Sequence, residues 1–140
     1  MTRAELEPVE PDATRAREFV AQARLFLADA ERETTHLESA VILYWSACIS
    51  SMDALLAIDG LRVSSGEDSH AVRVEGARRV LGAGYRDLTD RLDEWRRERH
   101  GVSYAAITPG EADVAAMRAD ARDILEAAEA ELGRRDEPRP

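Results

Sequence analysis

The chain has 140 residues, a formal net charge of −9 and a single cysteine, Cys48. This length indicates one domain, since single domains usually hold about 100–200 residues. One cysteine excludes an intrachain disulfide and favours a reduced, cytoplasmic setting. The acidic charge argues against a free-standing nucleic-acid binder with a basic face, because phosphate neutralisation supplies much of such a binder's affinity. Aromatic residues make up only 5% of the chain, so its core must consist mainly of small and aliphatic side chains, which favours closely packed helices.

The N-terminal segment, residues 1–12, is predicted to be a flexible acidic leader, because Pro8 and Pro11 stand among acidic side chains. It has no apolar run of the kind found in secretory signals. A first helix is predicted from Ala13 to Arg32, where apolar side chains recur at helical spacing.

The second predicted helix runs from Thr35 to Leu61 and is apolar almost all round. Thr35 and Glu38 have the spacing of a capping box, in which a hydroxyl and a carboxylate satisfy backbone donors reciprocally. A helix without a polar face must have neighbours on several sides. Four serines and Asp53 interrupt its apolar stretch, which argues against a membrane span. Tyr44 and Trp45 are expected to be core or dimer-interface residues, and Cys48 a small core residue.

Three more helices are predicted beyond a polar loop at residues 62–69. The third runs from Ser69 to Leu81, the fourth from Tyr85 to Arg99, and the last from Gly110 to Leu132. No segment alternates between polar and apolar residues over the length of a strand. The predicted fold is therefore all-α, a four-to-five-helix up-down bundle over residues 13–133.

Two signals mark the ends of the last predicted helix. A second capping box, from Thr108 to Glu111, precedes it, with Pro109 at the first helical position. Gly133 is predicted to stop it, and residues 134–140 are predicted to be a flexible tail.

An arginine-rich segment ends the fourth predicted helix, Arg96-Arg97-Glu98-Arg99-His100-Gly101-Val102-Ser103-Tyr104. It follows the pattern Arg-x-x-Arg-(Asn or His)-x-x-x-Tyr, which many HEPN proteins show at this place. The run from Tyr44 to Ala47, the stretch from Asp53 to Gly60 and the helix opening at Ser69-His70 come in the HEPN order as well. The chain therefore resembles the HEPN superfamily over residues 14–132.

The resemblance implies a HEPN-like bundle that forms a homodimer, with a site composed across the two-fold axis. It implies a role in a toxin–antitoxin, defence or RNA-associated system. The implied partners are RNA or a nucleotide, and a cognate antitoxin or nucleotidyltransferase. No membrane association is expected.

The chain departs from the catalytic pattern of the family. Ribonucleolytic HEPN proteins typically carry Arg, four to six residues, and then His, but none of His36, His70 and His100 has an Arg at that distance. If Arg99 matches the family's Arg, Tyr104 stands where the catalytic His would be. His can take the 2′-OH proton and protonate the leaving oxygen near neutral pH, whereas a phenol is a poor base. We therefore expect a protein without strong nuclease activity.

Two alternatives remain open on the same sequence. The first is a metal-independent ribonuclease that uses Arg99, His100 and Tyr104. The second is a purely protein-interaction module whose acidic surface binds a basic partner. The sequence contains no Gly-rich phosphate loop, zinc-binding Cys/His pattern or His-Glu-x-x-His helix, so neither a cofactor nor a metal is expected.

Three charged side chains are further candidates for the site. Arg96 and Arg97 could bind phosphate, or they could belong to a solvated helix face on which Asp93 and Glu94 pair with Arg97. Asp53 needs a cationic partner, because an unpaired carboxylate in an apolar helix is costly. The candidate partner is Arg99, and the charge count leaves three other arginines open, Arg62, Arg91 and Arg96. His36 and His70 are predicted to have structural or cap-region roles.

Overall fold

A computed structural model describes residues 2–32, 35–101 and 109–136, with the backbone alone at residues 99–101 and 136. The described residues form a helical bundle with a small two-stranded sheet, which confirms the predicted all-α class. In chain order the elements are β1 (Leu6–Pro8), α1 (Ala13–Ala30), α2 (Leu37–Ile58), β2 (Leu61–Val63), α3 (Ser69–Leu81), a 3₁₀ turn (Ala83–Tyr85), α4 (Arg86–Gly101) and α5 (Glu111–Asp136).

Helix α2 is the central element of the bundle, as its sequence predicts. Its backbone packs against α1, α5 and α3, and its buried side chains include Met52, Leu55 and Leu56, none of which is more than 1% exposed. By length and mean hydropathy, 1.7 over 18 residues, α2 could cross a membrane. Most of that window is buried inside the bundle, as in the core helix of a soluble protein.

The apolar stripes predicted for α1 and α5 face α2. Ala23 in α1 and Ala121 and Ala128 in α5 are completely buried, and such small side chains let neighbouring helix backbones approach closely. Met117 and Leu125 fill the space between them in the same core cluster. The core is therefore built from alanine at the points of close approach and from larger side chains elsewhere.

Helix α4 is attached to the bundle through Asp120 of α5. This carboxylate is buried at 4% exposure and accepts hydrogen bonds from Arg91 Nε at 2.9 Å and Trp95 Nε1 at 2.8 Å. Leu88 and Leu92 anchor the same helix in the core. The close backbone approaches of α4 to other α-helices are to α3 and α5.

The described part of the N-terminal segment, residues 2–12, is an ordered strap rather than the predicted leader. Strand β1 pairs antiparallel with β2, with Leu6 opposite Val63. Ala4 is buried, and its N–H donates to the carbonyl of Glu67 at 2.9 Å. The predicted polar loop at residues 62–69 thus begins as a strand. Each strand is only three residues long, which is too short for alternation to be recognised in the sequence.

The N-terminal strap fixes the loop that leads into α3. A Cβ atom at Gly66 would lie 2.4 Å from the carbonyl oxygen of Thr2, so only glycine allows the two backbones to come so close. Asp68 follows in the left-handed region, with φ of 60°, and precedes the first turn of α3. The position of the α3 N-terminus therefore depends on the strap.

Several predicted helix boundaries need correction. Helix α1 ends at Ala30 rather than Arg32, and α2 spans Leu37–Ile58 with His36 at its N-cap. The capping box at Thr35 is wrong, because the Thr35 hydroxyl donates instead to the carbonyl of Asp29 at 2.8 Å. The boundaries of α3 are confirmed at Ser69 and Leu81.

At the other end of the chain, α5 begins at Glu111 and runs through Gly133 to Asp136, so the predicted stop at Gly133 is wrong. Glu131 pairs with Arg134 and Arg135 one turn further on, which supports the helix beyond the glycine. Residues 134–136 of the predicted tail are therefore helical. Thr108 of the second capping box lies outside the described residues.

Candidate functional site

A pocket of about 340 Å³ lies between α2, the start of α3 and α4. This volume is at the lower end of the range for small-molecule sites, roughly 300–1,000 Å³. Its lining residues are Trp45, Ile49, Asp68, Ser69, His70, Ala71 and Arg96. The pocket thus brings together polar groups from three separate parts of the sequence.

The first turn of α3 forms one wall of the pocket. Ser69, His70 and Ala71 occupy this turn, and the first backbone bond of the helix joins the Val72 N–H to the carbonyl of Asp68 at 3.1 Å. N–H groups in a first helical turn have no partner within the helix, and they carry part of the positive end of the helix dipole. These N–H groups favour an anionic group at this wall, whereas the acidic side chain of Asp68, which also lines the pocket, opposes one.

Behind this wall, Arg73 joins the central helix to His70. Its Nε donates to Asp53 Oδ1 at 2.7 Å, and its Nη1 lies 2.6 Å from His70 Nδ1. The side chains of Arg73 and Asp53 are 14% and 22% exposed, so water screens this pair only partly. The prediction that Asp53 pairs with an arginine is confirmed, and the partner is Arg73 rather than Arg62, Arg91 or Arg96. The side chain of Arg99, the first candidate, lies outside the described residues.

The Asp53 carboxyl ionises less readily in the folded protein than it does in water. Burial raises its pKa above the ordinary value of 3.8, and the nearby guanidinium groups of Arg73 and Arg15 offset this rise only in part. Since the pKa is raised in the folded protein, ionisation of Asp53 weakens the fold as pH rises through that pKa.

Trp45 and His70 are in direct contact within the pocket. Their rings meet edge to face, with centroids 5.8 Å apart and an interplanar angle of 87°. Trp45 and Tyr44 are both buried, as predicted for core residues. His70 was predicted to be a structural or cap-region group, and its place in the pocket wall adds it to the candidate site. The signal that could have found it is the spacing of His70 and Arg73, which lie on one helix face.

Arg96 and Arg97 have different surroundings although they are adjacent. Both donate to Asp93, through Arg96 Nε at 2.9 Å and Arg97 Nη2 at 2.6 Å. Burial alone would raise the pKa of the Asp93 carboxyl, but these two hydrogen bonds bring it below the ordinary value. Arg96 is 21% exposed and lines the pocket, whereas Arg97 is 62% exposed. Arg97 thus fits the solvated-face interpretation, and Arg96 remains a candidate phosphate ligand.

The remaining predicted site residues follow Arg96 along the chain. The backbone of Arg99 and His100 belongs to the last turn of α4, and their side chains, like the whole of Tyr104, lie outside the described residues. Their roles remain predictions. Among the described residues, no group of three or more His, Cys, Asp or Glu side chains could hold a metal ion. Cys48 is buried, which raises the pKa of its thiol and makes it unsuited to nucleophilic chemistry.

Comparison with protein-family models, with curated proteins and with solved structures finds no match to this chain. The HEPN resemblance is therefore carried by the residues quoted above alone.

Replacing Arg73 with Met tests the charge balance around Asp53. The variant leaves a largely buried carboxylate without its partner, so we expect the free energy of unfolding to fall by about 2–4 kcal/mol at neutral pH. The loss should shrink as the pH is lowered, because protonation of Asp53 removes the unpaired charge. Denaturant titrations at a series of pH values measure both effects.

Asp53→Asn is the matched control for this test. Asn keeps an oxygen that accepts from Arg73 Nε but leaves the largely buried guanidinium without a counter-charge, so the free energy of unfolding should fall by about 1–2 kcal/mol, less than in Arg73→Met. If Asp53→Asn is as damaging as Arg73→Met, or if the loss in Arg73→Met does not vary with pH, the assignment of the charge balance is wrong.

Proposed function

We propose that this chain is a HEPN-like, RNA-associated protein of a toxin–antitoxin or defence system, and that it binds a phosphate-bearing ligand in the pocket without strong nuclease activity. The observation that supports this most is the convergence of the HEPN-like segments. Trp45, the Ser69-His70 pair and Arg96 come from three of the four stretches that carry the resemblance, and all of them line one pocket. Residues so distant in sequence share a small site only when the fold brings them together.

The chemistry of the pocket supports a phosphate group as the ligand. The first turn of α3 offers backbone N–H groups, and Arg96 adds a guanidinium, which binds phosphate oxygens well. The net charge of −9 opposes broad, non-specific attachment to RNA. Recognition would thus depend on this local site, with one or a few phosphates held there. We place the protein in the cytoplasm, where RNA partners are found.

The absence of the Arg-x₄₋₆-His pattern supports binding rather than cleavage. In the described part of the chain, the histidine of the pocket is His70, and no arginine precedes it at the distance that ribonucleolytic HEPN proteins use. A ribonuclease built on Arg99, His100 and Tyr104 is the alternative activity.

RNA binding can be measured by fluorescence anisotropy with a labelled single-stranded oligonucleotide. We expect Arg96→Gln to weaken binding about tenfold, which corresponds to about 1.4 kcal/mol, because it removes a charged phosphate ligand. Arg97→Gln is the matched control, since Arg97 contacts the same Asp93 but is exposed to solvent, and it should change the affinity less than twofold. Equal effects of the two variants would contradict the assignment of the pocket.

Incubation of the same proteins with total RNA separates binding from cleavage. The proposal predicts intact RNA with the wild type. Cleavage that disappears in Arg99→Ala would overturn it in favour of the ribonuclease. A wild-type protein that neither binds nor cleaves RNA would also overturn it and favour the protein-interaction module.

We also propose a homodimer that uses the outer faces of α1 and α2. Leu25 in α1 and Ile42 in α2 are 68% and 53% exposed, and each lies five residues from the end of its helix that adjoins the α1–α2 connection. Ile49, on the same face of α2 seven residues further along, lines the pocket. A dimer that covers this apolar face would therefore bring two pockets close to one two-fold axis.

Light scattering tests the dimer directly. The wild type should have twice the 15.5 kDa mass of one chain at micromolar concentration, and Ile42→Asp should shift it to the monomer, because a charge in an apolar interface is strongly unfavourable. Val9→Asp alters an exposed apolar residue at the opposite end of α2 and should leave the dimer intact. A wild-type monomer would contradict the proposal.

A further inference from the structure

The N-terminal strap and the loop before α3 are joined by mutual hydrogen bonds. The Ser64 N–H donates to the carbonyl of Glu5 at 2.9 Å, and the Glu5 N–H donates back to Ser64 Oγ at 2.9 Å. At the other end of the loop, the Ala4 N–H donates to the carbonyl of Glu67 at 2.9 Å, and the Glu67 N–H donates to that of Thr2 at 3.2 Å. The strap cannot leave without breaking these bonds, so we expect strap and loop to move as one unit.

The strap itself is held to the bundle by few buried side chains. Among its described residues only Ala4 is buried, and Leu6 is half-buried against Gly76 of α3, where an added Cβ would lie 3.0 Å from Leu6 Cδ2. The ion pair of Glu7 with Arg62 is largely exposed, and such pairs contribute little. Because a segment with few buried apolar contacts opens at a lower free-energy cost than the core, the strap should undock well before the bundle unfolds.

The loop, in turn, holds the start of α3 in a backbone conformation that needs support. Asp68 has φ of 60°, and residues other than glycine keep such a conformation only where the surrounding contacts impose it. Residues 69–71, which follow, line the pocket, and the first backbone bond of α3 joins the Val72 N–H to the carbonyl of Asp68 at 3.1 Å. If the strap leaves, the loop loses its partners, Asp68 can relax, and this first bond loses the fixed position of its acceptor.

We infer that the N-terminal strap is a switch for the pocket: strap and loop undock together, and the wall formed by the first turn of α3 is in place only while the strap is docked. Ligand binding and strap docking are then linked, so that each favours the other. The part of this inference that concerns a ligand rests on the proposed function, since it takes the pocket as the binding site. Anything that removes the strap lowers the affinity of the pocket.

Native-state hydrogen exchange followed by NMR tests the switch without any ligand. The amides of Ala4, Ser64 and Val72 should exchange through one shared opening. Leu6→Ala removes the apolar anchor of the strap and should accelerate all three by the same factor, roughly tenfold. Leu25→Ala deletes the same atoms from an exposed side chain of α1 and should leave the three rates unchanged. Acceleration at Ala4 and Ser64 with Val72 unchanged would overturn the inference, as would no acceleration at any of the three.

Binding of the labelled single-stranded RNA oligonucleotide tests the effect on the pocket. Gly66→Ala places a Cβ atom 2.4 Å from the carbonyl oxygen of Thr2, so it should undock the strap and weaken binding about fivefold or more, because less of the protein is competent to bind. Gly84→Ala is the matched control, since nothing lies within 4 Å of the Cβ that it adds, and the affinity should change less than twofold. Equal affinities of Gly66→Ala and the wild type would overturn the inference.

The linkage can also be measured in the wild type, which needs no variant to fold. Saturating RNA should slow exchange at the amides of Ala4 and Ser64, although neither residue lines the pocket. Unchanged exchange at these amides in the RNA complex would contradict the switch. If the wild type binds no RNA, the proposed function fails, and exchange in the free protein still decides whether the strap and the start of α3 open together.

Discussion

The burial of most of α2 by three neighbouring helices is the constraint on which the rest of the structure depends. A helix that is apolar round its whole circumference must be covered by several neighbours, and α1, α3 and α5 provide this cover. Burying a large aliphatic side chain is favourable by about 1.5–3 kcal/mol, and α2 contributes Met52, Leu55 and Leu56 to the deepest part of the core. The same burial encloses Asp53, which then requires a cation from the helix that covers it.

That requirement connects the core to the pocket. Helix α3 covers the side of α2 on which Asp53 lies, and Arg73 of α3 reaches back to it. One turn earlier on the same helix, His70 lies against both Arg73 and Trp45. The N-terminal strap holds the loop before α3 from the other side. The pocket wall is therefore fixed by core packing, by one ion pair and by a short sheet, and each of these contacts links residues far apart in sequence.

The helices could be predicted from the sequence because their apolar side chains recur with a clear period. The strap could not, because three-residue strands have no period, and because its contact with the loop before α3 requires the close approach of Gly66 to Thr2. The cost of burying a charge predicts an arginine partner for Asp53. It does not identify Arg73 as that partner, since this choice depends on how α2 and α3 pack. The predicted helix ends were wrong where a side chain formed a different hydrogen bond, as the Thr35 hydroxyl does with the carbonyl of Asp29.

The proposed phosphate ligand would have to displace an existing ion pair, because the arginine that lines the pocket is already bonded to a carboxylate. Arg96 is already bonded to Asp93, and the hydrogen bonds from Arg96 and Arg97 keep the pKa of that carboxyl low. A phosphate in the pocket must therefore compete with Asp93 for Arg96, while Arg97 can continue to neutralise the carboxylate. This competition would lower the affinity of the proposed site for phosphate.

The most direct test of the account is NMR mapping of the backbone amides during titration with a single-stranded RNA oligonucleotide. The account predicts that the largest shifts occur at Ser69, His70 and Ala71, in the first turn of α3, together with Arg96 on the facing helix. Shifts confined to α5 or to the N-terminal strap, with these four residues unchanged, would contradict it, because the ligand would then bind away from the pocket.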